Sequence, residues 1–157
     1  MRSIVVSIGH KAPAWVHTAA EDYARRLPRD WEISWRALRA EPRHAAASAG
    51  VCMEREAQRI DAALRAQPCH RVALDTRGCA IDSLAFARQC GVWHDQGVVP
   101  AFVIGGADGL HPRIREEAAL VLQLSHFTLP HDMVRVVLAE QIFRAWSILH
   151  QHPYHRD

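Results

Sequence analysis

The chain has 157 residues, of which 49% are hydrophobic and 23% are charged, and its formal net charge is +2. This length and this ordinary globular composition lead us to expect a single domain over residues 1–157 with a substantial core. The small positive charge does not by itself indicate nucleic-acid binding, and it permits such binding only if the basic groups cluster.

The cysteines and the apolar runs exclude further classes of protein. Cys52, Cys69, Cys79 and Cys90 include no C-x-x-C pair, which excludes the usual zinc-site spacings and gives no disulfide framework. The apolar run near the start is too short for a signal peptide, and no stretch is long enough to span a membrane. We therefore expect a cytoplasmic protein with reduced thiols, no bound metal and no membrane partner.

Short β-branched runs alternate with helical periodicities along the chain. Uniformly apolar strands are typical of a parallel sheet with helices on both faces, so the sequence predicts an α/β fold. The Ala-, Arg- and His-rich stretch Arg39–Gly50 has the composition of a mobile connection. In chain order we predict strand Ile4–Ile8, helix Trp15–Leu27, strand Trp31–Leu38, polar helix Cys52–Ala66, strand Arg71–Leu74, helix Ser83–Trp93, strand Val98–Ile104, helix Pro112–Ala119, strand Leu120–Leu124 and helix Asp132–His150.

Three loops follow apolar strands and should converge on one edge of the sheet, where such sheets bind ligands. They have the sequences LDTRG (74–78), IGGADG (104–109) and LSHFTLP (124–130). The paired glycines of the second loop would let main-chain amides approach a ligand, although they also fit a tight turn. The third loop would suit an adenine ring, or it could simply lead into a helix that Thr128 or Asp132 caps.

The final helix is apolar on nearly all sides, so it must bury more than one face. One face can pack on the sheet, and we infer that the other packs on a second copy in a homodimer. Glu140 and Arg144 are four residues apart and could form a surface ion pair. Arg144 could equally point at a phosphate or a carboxylate, and the sequence favours neither interpretation.

The chain ends in imidazole, aromatic and guanidinium groups, whereas a fraying tail usually carries small and charged residues. Such groups are suited to an anionic, ring-bearing substrate, so we predict that the tail lies in the active site. A metal site is less favoured, because no carboxylate or thiol nearby completes a coordination set. The tail residues concerned are His150, His152, Tyr154, His155 and Arg156.

Taken together, these blocks resemble the bacterial family of ribosomal RNA large-subunit methyltransferases H. The resemblance spans the chain and is poorest at 39–70, and Phe143 stands where many relatives have Tyr. It implies a SPOUT-like α/β fold with a C-terminal trefoil knot, and a homodimer. The blocks are IGHKAPAWV (8–16), LDTRG (74–78), FVIGGADGL (102–110), LSHFTLPH (124–131), RVVLAEQIFRAW (135–146) and PYHR (153–156).

The family methylates N3 of a pseudouridine in 23S rRNA on the assembled ribosome, and S-adenosylmethionine is its methyl donor. The resemblance therefore implies a 23S rRNA methyltransferase whose partner is the 23S rRNA within the ribosome. Carried over position by position, the donor-binding residues are Leu74, Gly105, Leu124, Ser125, His126, Phe127, Thr128 and Leu129.

The reaction indicates roles for the tail. N3 of the uracil ring carries a proton at neutral pH, so the protein must hold the base in line, assist deprotonation and stabilise the resulting imidate. We assign anion stabilisation and phosphate holding to Arg144 and Arg156. Tyr154 would stack on the base or hydrogen-bond to it, and His155 or water would be the general base.

Three other functions stay open on the sequence alone. The first is a knotted methyltransferase that acts on another RNA base, and the second is a non-catalytic ribosome-binding factor with the same fold. The third and weakest is a nicotinamide-dependent oxidoreductase, because Gly105, Gly106 and Gly109 lack the G-x-G-x-x-G spacing and do not follow the first strand.

Overall fold

The computed structural model describes residues 1–9, 12–43 and 48–155. In these residues the strands form one sheet in the order β2-β1-β4-β3-β5, and every neighbouring pair is parallel. Every predicted strand and helix is found, with small differences at the ends of all but the third strand, which is much longer than predicted. The elements are β1 (Arg2–Ile8), α1 (Ala14–Arg26), β2 (Glu32–Leu38), α2 (Ala49–Leu64), β3 (His70–Ala80), α3 (Ser83–Asp95), β4 (Pro100–Ile104), α4 (Pro112–Glu116), β5 (Leu120–Gln123) and α5 (His131–Leu149).

Alternate side chains of the strands fill two cores on opposite faces of the sheet. On β1, Val5 enters the core that contains buried residues of α1, α3 and α5. Its neighbours Ile4 and Val6 enter the core that contains residues of α2 and α4. The period of two follows from the strand's pleat, and helices cover both faces as predicted.

Helix α5 is packed against both α1 and α3 of its own chain. Leu138 and Ile142 are buried in the core of that face, while Val136 and Val137 are half-buried. The neighbouring helices therefore cover part of the apolar circumference that the sequence analysis assigned to a second copy. In the described residues no helix combines the length and the continuous apolar character that a membrane span requires.

The connection before α2, which the sequence analysis expected to be mobile, makes specific contacts at Glu41 and Arg43. The main-chain N–H of Glu41 donates to the buried carboxylate of Glu56 at 2.9 Å, and Arg43 bridges Glu56 and Asp108. Glu41 itself pairs with Arg55 and Arg59, whose hydrogen bonds lower the pKa of its carboxyl. Residues 44–47 of the predicted segment lie outside the described residues.

Helix α2 is less polar than predicted, because one of its faces closes a core. Its spacing of apolar residues places one stripe against the sheet and leaves the charged residues to ion pairs and solvent. The buried residues of α2 are Cys52, Glu56, Ala57, Ile60 and Leu64.

Strand β5 pairs with two separate stretches of β3, which continues past the turn predicted after Leu74. Leu122 is the parallel partner of both Leu74 and Cys79, and the residues between them bulge out of register. A Cβ added to Gly78 would lie 2.7 Å from the main chain of Leu122, so only glycine allows this close passage. The pairing and the strand order fit the SPOUT-like fold that the resemblance implies, and the trefoil knot itself stays a prediction.

We predict that Gly78→Ala destabilises the protein by about 1–3 kcal/mol, because the new methyl group must displace main-chain atoms of β5. Urea unfolding at fixed protein concentration measures the change. Gly50→Ala in helix α2 is the matched control, since its new Cβ would lie 4.0 Å from the Ser48 hydroxyl oxygen, at ordinary contact distance. The control should keep or raise stability. Equal stability of the two variants would contradict the close passage at Gly78.

Candidate active site

The carboxyl ends of β3, β4 and β5 open onto one cavity of about 470 Å³. The three predicted loops converge there because these strands are neighbours in the sheet and all point the same way. Of the eight positions predicted to bind the donor, six line this cavity and two do not. The six are Leu74, Leu124, Ser125, Phe127, Thr128 and Leu129.

Gly105 and His126 are the two predicted positions that do not line the cavity. Gly105 is buried beside Ile104, and a Cβ on it would lie 2.5 Å from the main chain of Gly109. The loop after β4 returns so tightly that no side chain fits, so Gly105 shapes the wall next to the cavity. His126 is exposed at the surface of the third loop.

The rim of the cavity carries an unusually exposed aromatic side chain. Phe127 is 83% exposed, and its main-chain N–H donates to the Ser125 hydroxyl at 2.9 Å. This local hydrogen bond forms a tight turn that presents the ring outward. An exposed ring at the mouth of an apolar cavity is suited to covering a flat ligand group.

Asp75 is a lining residue that the sequence analysis missed. Its carboxylate accepts the Arg77 main-chain N–H at 2.9 Å and pairs with Arg115 at 3.3 Å. Arg115 also donates to the carbonyl of Leu110, so it ties the first loop to the end of the second. The signal was present, since Asp75 follows a predicted strand, but its partner is distant in sequence.

The tail folds back along α5 and meets Arg144. Arg144 donates to Glu140 from Nε at 2.8 Å and pairs with it from Nη2 at 2.6 Å. The Tyr154 hydroxyl donates to the same Glu140 carboxylate at 3.0 Å, and the guanidinium of Arg144 lies 5.0 Å from the Tyr154 ring centroid. Of the two interpretations left open for Arg144, the ion pair with Glu140 is therefore the one that forms.

The remaining tail residues are held by main-chain contacts and stacking. The main-chain N–H of His155 donates to the Ser147 hydroxyl at 3.2 Å, and the His155 ring lies 3.5 Å from Arg144. His150 and His152 pack on the ring of Trp146 instead of meeting each other. In the described ranges no three His, Cys, Asp or Glu side chains are grouped to hold a metal. Arg156 lies outside the described residues.

The protonation states of the tail suit hydrogen-bond donation. Burial raises the pKa of Tyr154, and its hydrogen bonds with Tyr23 and Glu140 raise it further. The hydrogen bond to Glu140 raises the pKa of Arg144. At neutral pH Tyr154 is therefore a neutral donor and Arg144 a cation, and neither can act as a base. Glu140, which the sequence analysis treated only as a partner in a surface pair, accepts hydrogen bonds from both side chains and holds them next to each other.

The comparisons with known proteins decide the family. A family model described as "Predicted SPOUT methyltransferase" matches residues 1–155. The chain belongs to the SPOUT methyltransferase family. Two proteins named ribosomal RNA large subunit methyltransferase H, from Cupriavidus pinatubonensis and Burkholderia thailandensis, are each 46% identical to it over 99% of both chains.

Solved structures show the same fold. A probable methylase family protein from Haemophilus influenzae matches with a TM-score of 0.57 at 13% identity, over 99% of this chain and 70% of that one. A probable methyltransferase from Bordetella pertussis matches with a TM-score of 0.56 at 17% identity, over 92% of this chain and 93% of that one. The α/β sheet of this SPOUT methyltransferase therefore has counterparts of very different sequence.

In this SPOUT methyltransferase the cavity and the tail cluster lie at different points along α5. Val134 lines the cavity, and Arg144 follows ten residues later on the same helix. At 1.5 Å per residue, the two positions are about 15 Å apart along the helix axis. The structure thus brings most of the predicted donor positions together at the cavity, and it brings the described tail positions together around Arg144. Within one chain these two groups of residues lie apart.

We predict that Glu140→Gln lowers the free energy of unfolding by about 1–2 kcal/mol, because Arg144 loses its half-buried carboxylate partner. Thermal and urea unfolding measure the loss. Glu21→Gln is the matched control, since Glu21 and Arg25 form the same i,i+4 pair with side chains 53% and 73% exposed, against 17% and 27% for Glu140 and Arg144. The control should change stability by about 0.5 kcal/mol or less. If both variants lose the same amount, the Glu140 cluster is no more than a surface pair.

Proposed function

We propose that this SPOUT methyltransferase transfers the methyl group of S-adenosylmethionine to N3 of a pseudouridine in large-subunit ribosomal RNA within the ribosome. One observation carries the proposal. Three strand-end loops enclose a cavity of about 470 Å³ in a chain that is 46% identical, over its full length, to proteins named ribosomal RNA large subunit methyltransferase H. Its lining is mainly apolar with a few polar groups, which is the usual character of a small-ligand site.

The chemistry of the cavity supports its assignment to the donor. Leu124 and Leu129 offer apolar surface to the faces of an adenine ring, and the Thr128 hydroxyl offers a hydrogen bond at its edge. The carboxylate of Asp75 can accept from ribose hydroxyls. Phe127 at the rim would cover the bound donor and keep water from the sulfonium group.

The tail is suited to activating the base. Loss of the N3 proton leaves a negative charge that spreads over two carbonyl oxygens, and Tyr154 and Arg144 are both donors at neutral pH. The electron pair that the lost proton leaves on N3 then attacks the methyl carbon. The carbon–sulfur bond breaks at the same time, which leaves S-adenosylhomocysteine. His155 or water receives the proton. Arg156 belongs to this proposal on sequence alone.

The spacing along α5 supports a homodimer. Because Arg144 lies about 15 Å along the helix from Val134, the tail of one chain is poorly placed to act on a donor in the cavity of the same chain. We infer that each tail acts on the donor held by the second subunit. The half-buried Val136 and Val137 leave apolar surface on α5 for that contact.

We expect the purified protein and S-adenosylmethionine to methylate ribosomes from a strain that lacks the gene, and to methylate free ribosomal RNA far less. Mass spectrometry of nuclease fragments identifies the modified nucleotide as N3-methylpseudouridine. A methyl group on another base would assign the protein to a different knotted methyltransferase activity. Failure to bind S-adenosylmethionine in calorimetry would indicate a non-catalytic ribosome-binding factor.

Tyr154→Phe should reduce the rate of methyl transfer by about 10- to 100-fold and leave donor affinity unchanged, because it removes the hydroxyl that would turn from Glu140 to donate to the imidate. Single-turnover rates and calorimetry measure the two quantities. Tyr23→Phe, which removes the neighbouring hydroxyl, is the control and should have a smaller effect. An equal loss in donor affinity would place Tyr154 in the donor site instead.

The Tyr154→Phe variant also tests the homodimer. Mixed with a variant that fills the donor cavity, such as Leu129→Trp, it should regain part of the activity, since a mixed dimer contains one intact donor site facing one intact tail. No recovery would mean that donor site and tail come from one chain.

An unchanged rate and pH profile for His155→Ala would assign the base to water.

A further inference from the structure

A second cavity, of about 590 Å³, lies on another side of α5 and is separate from the proposed donor site. It is enclosed by α1, α5 and the edge strand β2. Trp35 and Ala37 of β2 form its floor, and Ala37 is paired in register with Ser7 of β1. Val16 and His17 of α1 form one wall. The cavity thus lies near the carboxyl ends of two parallel strands, where sheets of this class bind ligands.

The opposite wall contains a buried arginine with no anion. Arg135 is 5% exposed, its guanidinium donates to the buried Ser7 hydroxyl, and its Nε is buried without a partner. In residues 1–9, 12–43 and 48–155 no carboxylate forms an ion pair with it. Burial lowers the pKa of Arg135, and the nearby charge of Asp132 only partly opposes this. A buried cation in this state is unfavourable unless a ligand supplies the counter-charge.

Glu21, the one carboxylate residue in the described lining of the cavity, does not supply it. Glu21 lines the cavity on α1, but its carboxylate is paired with Arg25 at 2.9 Å and the pair is exposed to solvent. The Ser7 hydroxyl accepts one hydrogen bond and carries no charge. An anion that enters the cavity would therefore meet Arg135 as its principal partner.

We propose that this cavity binds one unpaired nucleotide of the RNA substrate, with its phosphate on Arg135 and its base against Trp35. The planar guanidinium fork matches two phosphate oxygens, and half-buried indole rings are common stacking surfaces for unpaired bases. Trp35 and Arg135 both line the cavity, so one ligand can contact both side chains. The identity of the ligand as RNA rests on the proposed function, whereas the anion site rests on Arg135 alone.

The first test uses small probes and requires no methyl transfer. Protein labelled with ¹⁵N at its indole groups is titrated with uridine 5′-monophosphate, inorganic phosphate or uridine, and the NMR chemical shifts of the indole N–H groups are followed. S-adenosylmethionine is present to fill the donor cavity. Trp35→Phe identifies the Trp35 signal. We expect the nucleotide to move that signal at lower concentration than phosphate or uridine alone. If uridine acts as strongly as the nucleotide, or if no probe moves the signal, the proposal is wrong.

The second test uses an RNA hairpin or ribosomes. Arg135→Met should weaken RNA binding by about 10- to 100-fold and reduce the slope of log affinity against log salt concentration by about one. Arg2→Met is the control, because it removes an exposed arginine at the opposite end of β1 from Ser7. If Arg135→Met does not fold, Trp35→Leu keeps the charge and should weaken binding with an unchanged salt slope.

The outcomes also separate this proposal from the proposed function. Loss of RNA affinity in Arg135→Met, together with no methylated product from the unchanged protein, would support the nucleotide site and contradict the methyltransferase activity. Normal RNA affinity and salt slope in both variants would overturn the nucleotide site while leaving the activity in place. A lower molecular mass in sedimentation, with RNA affinity unchanged, would assign the cavity to contact with a second copy.

Discussion

The close packing of β5 against the bulge of β3 is the constraint on which the candidate active site depends. Because Leu122 pairs with both Leu74 and Cys79, the loop after β3 and the loop after β5 are fixed to each other by one short strand. Glycine at position 78 permits this approach, since main-chain atoms of β5 occupy the space where a side chain would lie. The second loop is joined to the first through Arg115, which binds both Asp75 and the carbonyl of Leu110. A cavity built in this way is largely formed before any ligand arrives.

Helix α5 connects this cavity to the other functional groups. Its first turns contribute Val134 to the cavity, its next residue Arg135 reaches the opposite side, and its C-terminal half holds the tail through Glu140. The helix packs between α1 and α3, so these groups are carried by one rigid element. A rigid support suits a reaction that requires a base and a methyl sulfonium to be aligned, because small displacements reduce the rate strongly.

The sequence predicted the features that depend on local pattern and missed those that depend on distant partners. Apolar runs marked every strand, and the ends of those strands marked the loops that line the cavity. The anchoring of 39–43 was missed because it depends on ion pairs between Arg43, Glu56 and Asp108, which are far apart in sequence. The second pairing of β3 was missed because an exposed loop and a bulged strand have similar composition. Within an apolar helix, nothing in the pattern distinguished the buried Arg135 from a solvated arginine.

The charge balance of the two arginines on α5 argues for a division of roles between them. Arg144 already has the carboxylate of Glu140 within 2.8 Å, so a phosphate would have to compete with an existing anion for it. That pairing instead aligns Arg144 with the Tyr154 ring and keeps both donors in one orientation, which suits a developing charge on a base. Among the described residues Arg135 has a hydroxyl partner and no carboxylate partner, so it gains most from a full negative charge. Phosphate binding, which the sequence analysis gave to Arg144, therefore fits Arg135 better, and Arg144 fits the stabilisation of the imidate.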